Sequence, residues 1–462
     1  MRRKLDSSLD VWIRSSHRKP LVLFGARGVG KTTLLQGLAD RTERQLIHVD
    51  FSTDPQARQV FEHLSDPREI TRNLAALTHQ QADPAHTLLV LDEIQLCDDA
   101  LVSLRRFKTD FPDLPVAAAG SSLGVHLAHA AQRGSHGIMP TDHVNTETVR
   151  PLDFEEFCWA LGEEQAYAIA AECARSLEPC PIHEKMMSLY REYLLVGGMP
   201  QTVERYRAQR SIDEARETQS LIRMVYTASM SEDAEGVDPA KISATWRSLP
   251  AQLAKATGST KFMWKYIARG AKAERYASAL EWLQQAGFVN LCTQVSGGGG
   301  GGQIGSHAAQ PQTLDAFENP SSFKAYVADT GLLAQAYGAS LADIVETDEA
   351  PGQSAYHQPL FTMGLAENFV MQELVATGEQ PHYWGMRSKH EAQFVLETNQ
   401  GAVPIDVNPT SRRTRATAAR DFATRYASPY VMQVTNRNIG RHTKDGLQVR
   451  TVPPYALAQV VA

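Results

Sequence analysis

Cysteine is scarce in this sequence and follows no metal-binding or disulfide pattern. The chain has an odd number of cysteines, and no two of them form a C-x-x-C pair. The five are Cys97, Cys158, Cys173, Cys180 and Cys292. Their spacing indicates neither a complete disulfide framework nor a zinc knuckle. We therefore expect a protein of the reducing cytoplasm.

Long apolar runs and a strong net charge are also missing. No stretch approaches the roughly 18 apolar residues that a membrane-spanning helix requires, and residues 1–16 are too polar for a signal peptide. The 46 basic and 52 acidic residues give a net charge of only −6, which is too weak to indicate a nucleic-acid coat or an acidic tail. The sequence thus predicts no membrane span and no membrane partner.

The chain does have the composition of an ordinary folded protein. Of its 462 residues, 43% are hydrophobic and 21% are charged, which excludes wholesale disorder and fibrous repeats. At about 150 residues per domain, this length is enough for roughly three domains. Short apolar runs at 21–24, 47–51, 87–91 and 116–119 alternate with helical stretches. This pattern is typical of a parallel α/β sheet that is covered by helices on both faces.

A glycine-rich loop follows the first of these runs. Residues 25–32 read Gly25-Ala26-Arg27-Gly28-Val29-Gly30-Lys31-Thr32 and match G-x-x-x-x-G-K-S/T, and a helical run continues from Thr33. In such a loop the glycines let backbone N–H groups surround phosphates, and the helix N-terminus adds positive potential. We expect Lys31 to reach the β- and γ-phosphate oxygens and the Thr32 hydroxyl to bind Mg²⁺. The sequence therefore predicts an ATP and Mg²⁺ site that extends from Gly25 to Thr33.

Two carboxylates end the third apolar run, at the edge where open α/β sheets bind their ligands. We expect Asp92 to hold Mg²⁺, and Glu93 to orient and deprotonate the attacking water, with Lys31 as the second catalytic group. Ser121, after the fourth run, could touch the γ-phosphate or the water, or could belong to a simple turn. Placing the fourth strand between the first and the third would give the additional-strand type of ATPase sheet. Four arginines are candidates for stabilising the transition state: Arg27, Arg105, Arg106 and Arg150.

Six motifs occur in one order along the chain: Lys19 to Thr32, Leu91-Asp-Glu-Ile-Gln95, Ala119-Gly-Ser-Ser-Leu123, Pro151-Leu-Asp-Phe-Glu-Glu-Phe157, Gly197-Gly-Met-Pro200 and Asp329-Thr-Gly-Leu-Leu333. Together they resemble prokaryotic AAA-type ATP-binding proteins that carry a C-terminal domain of unknown function. The resemblance implies a P-loop AAA-type ATPase core over 1–152. A helical and winged-helix-like region follows over 153–350, with a glycine-rich insertion at 296–305. The implied C-terminal domain, 351–462, is α/β and similar to the PD-(D/E)xK nuclease fold.

The C-terminal region departs from this family where a nuclease needs its charges. The helix motif Glu367-Asn368 is present, but Gln393 stands for an expected Asp and Asn408 for an expected Lys. Such nucleases use a carboxylate pair to hold a divalent ion and a lysine to position the attacking water. The residues that could still hold a metal weakly are Glu367, Glu391 and Asp406, with Lys389 as a substitute cation. We expect no DNA cleavage, while metal binding and a purely structural role both stay open.

Positive charge concentrates in residues 409–462. Nine cations against Asp421 and Asp445 give this segment a net charge of +7 and leave −13 for the rest of the chain. The nine are Arg412, Arg413, Arg415, Arg420, Arg425, Arg437, Arg441, Lys444 and Arg450. The segment could neutralise nucleic-acid phosphates, or it could dock the acidic remainder of the same or another subunit.

The sequence as a whole predicts a Mg²⁺-dependent ATPase whose hydrolysis cycle moves the attached helical and nuclease-like domains. The alternative is a switch-like module that binds ATP without turning it over. DNA or a protein would be the partner of the basic segment, and an oligomer is compatible with both functions.

Overall fold

The structure is a computed structural model that describes residues 1–133, 138–234, 236–254, 260–296, 314–344, 361–387, 390–411 and 415–461. Apart from residue 296, the predicted glycine-rich insertion at 296–305 lies outside these residues. The chain forms two compact units. The first unit contains Met1–Arg150, Tyr226–Ala240 and Ser278–Phe288, and the second contains Pro151–Val225, Lys241–Ala277 and Val289–Ala462.

The first unit is built on a sheet of five parallel strands in the order β2-β3-β4-β1-β5. The strands are β1 (Leu21–Phe24), β2 (Gln45–Asp50), β3 (Thr87–Asp92), β4 (Val116–Ala119) and β5 (Asn145–Thr148). β4 lies between β1 and β3, which is the additional-strand arrangement predicted from the sequence. Both β3 and β4 are buried along their whole length, as expected for strands that are apolar on both faces. The predicted P-loop type of α/β fold is confirmed.

Six helices accompany this sheet: α1 (Leu5–Arg14), α2 (Lys31–Arg41), α3 (Pro55–His63), α4 (Pro67–Leu77), α5 (Asp98–Asp110) and α6 (Leu123–Gln132). α3 and α4 both begin with a proline after an aspartate, Asp54 and Asp66, whose carboxylate accepts backbone N–H groups of the first turn. Proline suits this position because it has no N–H to leave unsatisfied. Apolar side chains of the strands and of α5, such as Leu89 and Leu104, join in one buried core.

Seven helices follow: α7 (Phe154–Ala160), α8 (Glu164–Ser176), α9 (His183–Val196), α10 (Pro200–Gln209), α11 (Ile212–Glu232), α12 (Pro239–Leu253) and α13 (Ala273–Gln285). α7 starts within the motif at 151–157, where Asp153 and Glu156 form a reciprocal capping box. This helical region was predicted. The sequence did not predict that residues 226–240 and 278–288 of this region belong to the first unit.

The second unit also contains a mixed sheet of eight strands in the order β12-β13-β11-β10-β9-β8-β6-β7. The strands are β6 (Val289–Val295), β7 (Glu318–Val327), β8 (His382–Arg387), β9 (His390–Thr398), β10 (Gly401–Asn408), β11 (Val431–Thr435), β12 (Gly440–Lys444) and β13 (Leu447–Val452). The helices are α14 (Thr330–Tyr337), α15 (Leu341–Ile344), α16 (Phe361–Ala376), α17 (Thr417–Tyr426) and α18 (Leu457–Val461). β12 is an outermost strand, and its residues 441–444 are exposed.

After α13, β6 and β7 form an antiparallel pair. β6 also pairs with β8, so this pair extends the sheet that the C-terminal strands form. The domain boundaries after residues 152 and 350 remain predictions. Within the described ranges, no helix is both long and apolar enough to cross a membrane.

Candidate nucleotide-binding site

The glycine-rich loop connects β1 to α2 and needs its glycines. Gly25, Gly28 and Gly30 have φ angles of 139°, 82° and 96°, which other residues adopt only with strain. At Gly25 a side chain would also overlap the carbonyl oxygen of Val149. The loop thus turns tightly and ends at the N-terminus of α2, where free backbone N–H groups favour an anion.

Lys31 is the first residue of α2, and its ammonium group is turned into the loop. Its side chain is buried, and Nζ donates hydrogen bonds to the carbonyl oxygens of Gly25 at 2.8 Å and Ala26 at 3.0 Å. Burial lowers the pKa of Lys31 to about 8, while the neighbouring carboxylates of Glu93 and Asp92 oppose this shift. A phosphate in the loop would supply the negative charge that favours the protonated ammonium.

Thr32 and Asp92, the two residues that the sequence assigned to Mg²⁺, lie in hydrogen-bond contact. The Thr32 hydroxyl donates to Asp92 Oδ2 at 2.5 Å, and the backbone N–H of Glu93 donates to Asp92 Oδ1 at 3.0 Å. His48 Nε2 lies 3.3 Å from Asp92 Oδ2. Burial acts to raise the pKa of Asp92, but the hydrogen bonds of His48, Thr32 and the Glu93 amide outweigh it and lower the pKa. These hydrogen bonds therefore favour the ionised form of Asp92.

Glu93 is fixed by Ser121 and Gln95. The Ser121 hydroxyl lies 2.8 and 3.0 Å from the two carboxylate oxygens of Glu93, and the Ser121 backbone N–H donates to Oε2 at 3.2 Å. Gln95 Nε2 also donates to Oε2 at 2.6 Å. Glu93 itself has a positive φ of 49°, a conformation that is uncommon outside glycine. Ser121 thus contacts Glu93, the predicted base. The sequence had suggested either a contact of Ser121 with the γ-phosphate or the water, or a simple turn, and neither included this contact.

The end of α11 belongs to this site, which the sequence did not reveal. Arg27 Nη1 donates to Ser229 Oγ at 3.0 Å, and the Tyr226 hydroxyl donates to the carbonyl oxygen of Arg27 at 3.1 Å. Asp233 is hydrogen-bonded to Ser122 beside β4, and burial raises the pKa of its carboxyl group. All these residues lie in the first unit.

The segment after α13 also reaches the loop. Gly287 has a φ of 75°, and a side-chain carbon added there would stand 3.1 Å from the backbone nitrogen of Ala26. Tyr226 stacks on Phe288 with ring centroids 4.0 Å apart. The loop is therefore supported by two segments that are distant from it in the sequence.

The four arginines that are candidates for stabilising the transition state have different surroundings. Arg27 is part of the loop and forms a long ion pair of 3.9 Å with Glu232. Arg105 is exposed on α5, and Arg106 donates to the carbonyl oxygen of Ser65. Burial lowers the pKa of Arg150. Of the four, Arg27 alone is in the glycine-rich loop, and its guanidinium already has partners in α11.

Three further site residues were missed, namely His48, Gln95 and Asp233. His48 is opposite Val90 in the pairing of β2 with β3, so its approach to Asp92 depends on a strand register that one strand alone does not reveal. Gln95 follows Glu93 by two residues, and this short spacing was a usable signal. Asp233 carried no signal, because it reaches the site through the return of α11 to the first unit.

In the second unit the structure brings together Glu367 and Glu391, two of the predicted metal-holding carboxylates, around Lys324. Nζ of this fully buried lysine lies 2.7 Å from Glu391 Oε1 and 3.6 Å from Glu367 Oε2. Glu367 Oε2 also accepts hydrogen bonds from the hydroxyls of Thr260 and Tyr326, at 2.7 and 2.8 Å. These two carboxylates raise the pKa of Lys324 against the effect of burial. An ammonium group thus already neutralises part of the charge that a metal would meet.

The other predicted C-terminal residues have different partners. Asp406 Oδ2 accepts a hydrogen bond from Gln433 Nε2 at 3.4 Å, and Gln393 Oε1 accepts one from the backbone N–H of Val407 at 3.3 Å. Lys389, Arg412 and Arg413 lie outside the described residues.

Comparison with known proteins finds two matching domain families. Residues 17–158 match the model of an AAA domain, and residues 187–343 match a domain of unknown function, DUF8612. No curated protein matches the chain. The first unit therefore has a P-loop NTPase type of α/β fold and is similar to AAA domains.

Two solved structures are among those similar to the chain. The Walker-type ATPase of Pyrococcus abyssi is 15% identical, with a TM-score of 0.41, over 73% of this chain and 95% of that one. The ORC2 protein of Aeropyrum pernix, solved as ADPNP and ADP complexes, is 12% identical, with a TM-score of 0.36, over 73% of this chain and 93% of that one.

Proposed function

We propose that this protein binds ATP with Mg²⁺ in the loop at 25–33 and hydrolyses it. The observation that carries the proposal is the meeting of Thr32 and Asp92 at 2.5 Å beside Glu93. The hydroxyl and carboxylate oxygens are hard ligands of the kind that Mg²⁺ prefers, so these residues fit the ion. When bound, Mg²⁺ neutralises charge that develops on the phosphates.

The residues of the chain would divide the work. Lys31 would exchange its hydrogen bonds with Gly25 and Ala26 for phosphate oxygens, and the loop N–H groups would hold the β-phosphate. Glu93 would accept a proton from the attacking water, and Ser121 and Gln95 would orient its carboxylate. In phosphoryl transfer, most of the catalysis comes from the positioning of the reacting groups and from charges that stabilise the phosphates.

We also propose that α11 couples hydrolysis to movement. Its last turns hold Arg27 through Ser229 and Tyr226, and the same helix begins at Ile212 in the second unit. A change at the loop would therefore act directly on a helix that both units share.

Two substitutions test the ATPase proposal. Lys31→Ala should abolish ATP binding in an equilibrium titration, whereas Glu93→Gln should bind ATP and lose phosphate release by about 10²- to 10⁴-fold. Lys108→Ala and Glu62→Gln, which change like residues elsewhere in the first unit, should behave as wild type. Native ATP affinity in Lys31→Ala would overturn the site.

The second candidate function is an ATP-dependent switch without turnover. It is favoured by the hydrogen bonds that already occupy both carboxylate oxygens of Glu93. In that case ATP should protect the chain from proteolysis, while Glu93→Gln should release phosphate at the wild-type rate. Phosphate release measured with and without DNA would decide between the two functions and would also test DNA as a partner.

Some of the basic residues of the C-terminal segment are placed where they could form a surface that binds phosphates or a protein. Arg415, Arg441 and Lys444 are exposed. Arg441 forms a long ion pair of 4.0 Å with Glu178, and Arg420 pairs with Asp445. We propose that the exposed cations contact DNA or an acidic protein surface, including that of a second copy. Binding to DNA should then weaken steeply as salt increases, without preference for sequence.

A further inference from the structure

A second group of metal-binding side chains lies in the second unit, apart from the nucleotide site. It comprises Asp315, Glu318 and His382, which can each offer one ligand atom so that all three atoms lie within 4.8 Å of one another. Asp315 belongs to the 3-10 helix Leu314–Phe317, Glu318 opens β7, and His382 opens β8. Asp315 and Glu318 are therefore close in the sequence, whereas His382 reaches them only in the folded chain.

The distances suit one metal ion. One ion can bind only one nitrogen of an imidazole, and His382 Nε2 lies 3.2 Å from Asp315 Oδ1. Glu318 can offer an oxygen to the same ion, because one ligand atom from each of the three residues lies within 4.8 Å of the others. Two ligands that are each about 2.0–2.1 Å from a zinc ion in tetrahedral geometry stand about 3.3 Å apart. The imidazole is almost fully buried, at 2% exposure, whereas Asp315 is largely exposed and leaves the group accessible to an ion from solvent.

The available protons are too few for both imidazole nitrogens of His382. One nitrogen faces an oxygen with no proton between the two atoms. The Thr293 hydroxyl lies 2.5 Å from Glu318 Oε1 and donates to it, so its proton is used. A neutral imidazole has one N–H, which Nδ1 can donate to Glu318 or to the Thr293 oxygen at 3.1 Å. The lone pair of Nε2 then points toward the Asp315 carboxylate, an arrangement that a cation would stabilise.

We propose that His382, Asp315 and Glu318 bind a divalent transition-metal ion, with Zn²⁺ as the probe that fits best. Imidazole suits Zn²⁺, and carboxylates complete its shell, whereas Mg²⁺ prefers oxygen ligands alone. Thr293 would orient Glu318 through its hydrogen bond, as groups around metal ligands commonly do. Because no residue of the nucleotide site takes part, the inference is independent of the proposed ATPase activity.

The competing explanation is a purely structural cluster, in which hydrogen bonds alone hold the imidazole and the two carboxylates together. That arrangement satisfies the same distances, but a purely structural cluster would take up no Zn²⁺ in a titration. Measurement of zinc binding therefore separates the two.

The experiment is a calorimetric titration of the full chain with Zn²⁺ at neutral pH, in excess Mg²⁺ to occupy the oxygen-rich nucleotide site. Wild type should bind one Zn²⁺, His382→Gln should lose this site, and Asp315→Asn should bind more than about tenfold more weakly. His183→Gln is the matched control, because His183 is also largely buried but its ring faces Tyr455 and a backbone carbonyl. It should bind as wild type.

A spectroscopic measurement keeps the test valid if His382→Gln folds poorly. Co²⁺ added to wild type should give the visible absorption bands of a site with a nitrogen ligand, and Zn²⁺ should displace them. An absence of zinc binding by wild type, an absence of these bands, or an unchanged site in folded His382→Gln would each overturn the proposal.

Discussion

At the scale of single residues, Asp329 explains why two sequence motifs occur together. Its buried carboxylate accepts the backbone N–H of Gly198 at 2.6 Å and that of Leu332 at 2.9 Å. It thereby joins the Gly197-Gly198-Met-Pro break to the start of α14. A side chain at Gly197 would overlap this carboxylate. The motifs at 197–200 and 329–333 therefore have a structural role. From the sequence alone they were only part of a resemblance to a family, with no role assigned.

Replacing Asp329 with asparagine tests this role. The amide nitrogen of Asn cannot accept the N–H groups that the carboxylate accepts, so Asp329→Asn should unfold more easily at neutral pH by about 1–3 kcal/mol. Urea denaturation followed by circular dichroism would measure the loss. Unchanged stability would show that these hydrogen bonds are dispensable.

The same residue should make stability depend on pH. Burial raises the pKa of Asp329 from 3.8 to about 6, against the effect of its N–H donors. The folded chain therefore holds this proton more tightly than the unfolded chain, and the stability from Asp329 falls by about 3 kcal/mol as the pH rises from about 4 to about 6. The stability gap between wild type and Asp329→Asn should widen on acidification through this window. A gap that is constant across the window would contradict this assignment.

Lys324 should be a strong determinant of folding. Removing its ammonium group leaves Glu367 and Glu391 buried without a cation, and such a loss typically costs about 3–5 kcal/mol. Lys324→Met should lower the free energy of unfolding by this amount. Lys185→Met, which removes an exposed partner of Glu163, should cost less than about 1 kcal/mol. Equal effects of the two substitutions would contradict the role given to the buried group.

At the scale of elements, the sequence predicted the four strands of the first unit that contain apolar runs and missed the fifth strand of that unit, which has none. β1, β3 and β4 were found because each is apolar on both faces. β5 has the polar sequence Asn145-Thr-Glu-Thr148, and it forms a strand because it pairs with β1. The contribution of α11 and α13 to the loop depends on long-range packing, which local periodicity does not report.

Gly287, just after α13, offers a test of that packing. Gly287→Ala should weaken ATP binding, because the new methyl group would press on the backbone of Ala26 in the loop. Gly270→Ala is the matched control, since Gly270 has the same φ of 75° and nothing within 4 Å of the added carbon. Both variants should lose about 1 kcal/mol of stability or more from the positive φ, but only Gly287→Ala should bind ATP less tightly. Similar affinities in both variants would argue against the contact.

At the scale of the whole molecule, the P-loop type of fold was predictable and the C-terminal region was predictable only in part. The loop at 25–32 could be recognised because its residues are contiguous, and Asp92-Glu93 because the pair ends a fully apolar run. Binding of ATP and Mg²⁺ by these residues stays a prediction. Lys324 gave no sequence signal, because its partners Glu367 and Glu391 lie more than 40 residues away and come together only through the fold.

The C-terminal region should not cleave DNA. Lys324 neutralises part of the charge of Glu367 and Glu391, and Asn408 has no charge to stabilise a developing phosphorane. Incubation of the full chain with single- and double-stranded DNA and either Mg²⁺ or Mn²⁺ should leave both substrates intact. Cleavage by wild type that disappears in Asp406→Ala would contradict this expectation.

The outermost strand β12 has a consequence for solubility at high concentration. A free sheet margin presents unpaired backbone groups to any strand that approaches, which is how many proteins begin to polymerise. Arg441 and Lys444 place two cations on this margin, so an identical margin from a second molecule meets charge of the same sign. We therefore expect these charges to disfavour strand-to-strand joining of copies of the chain, whichever ligand the rest of the C-terminal segment binds.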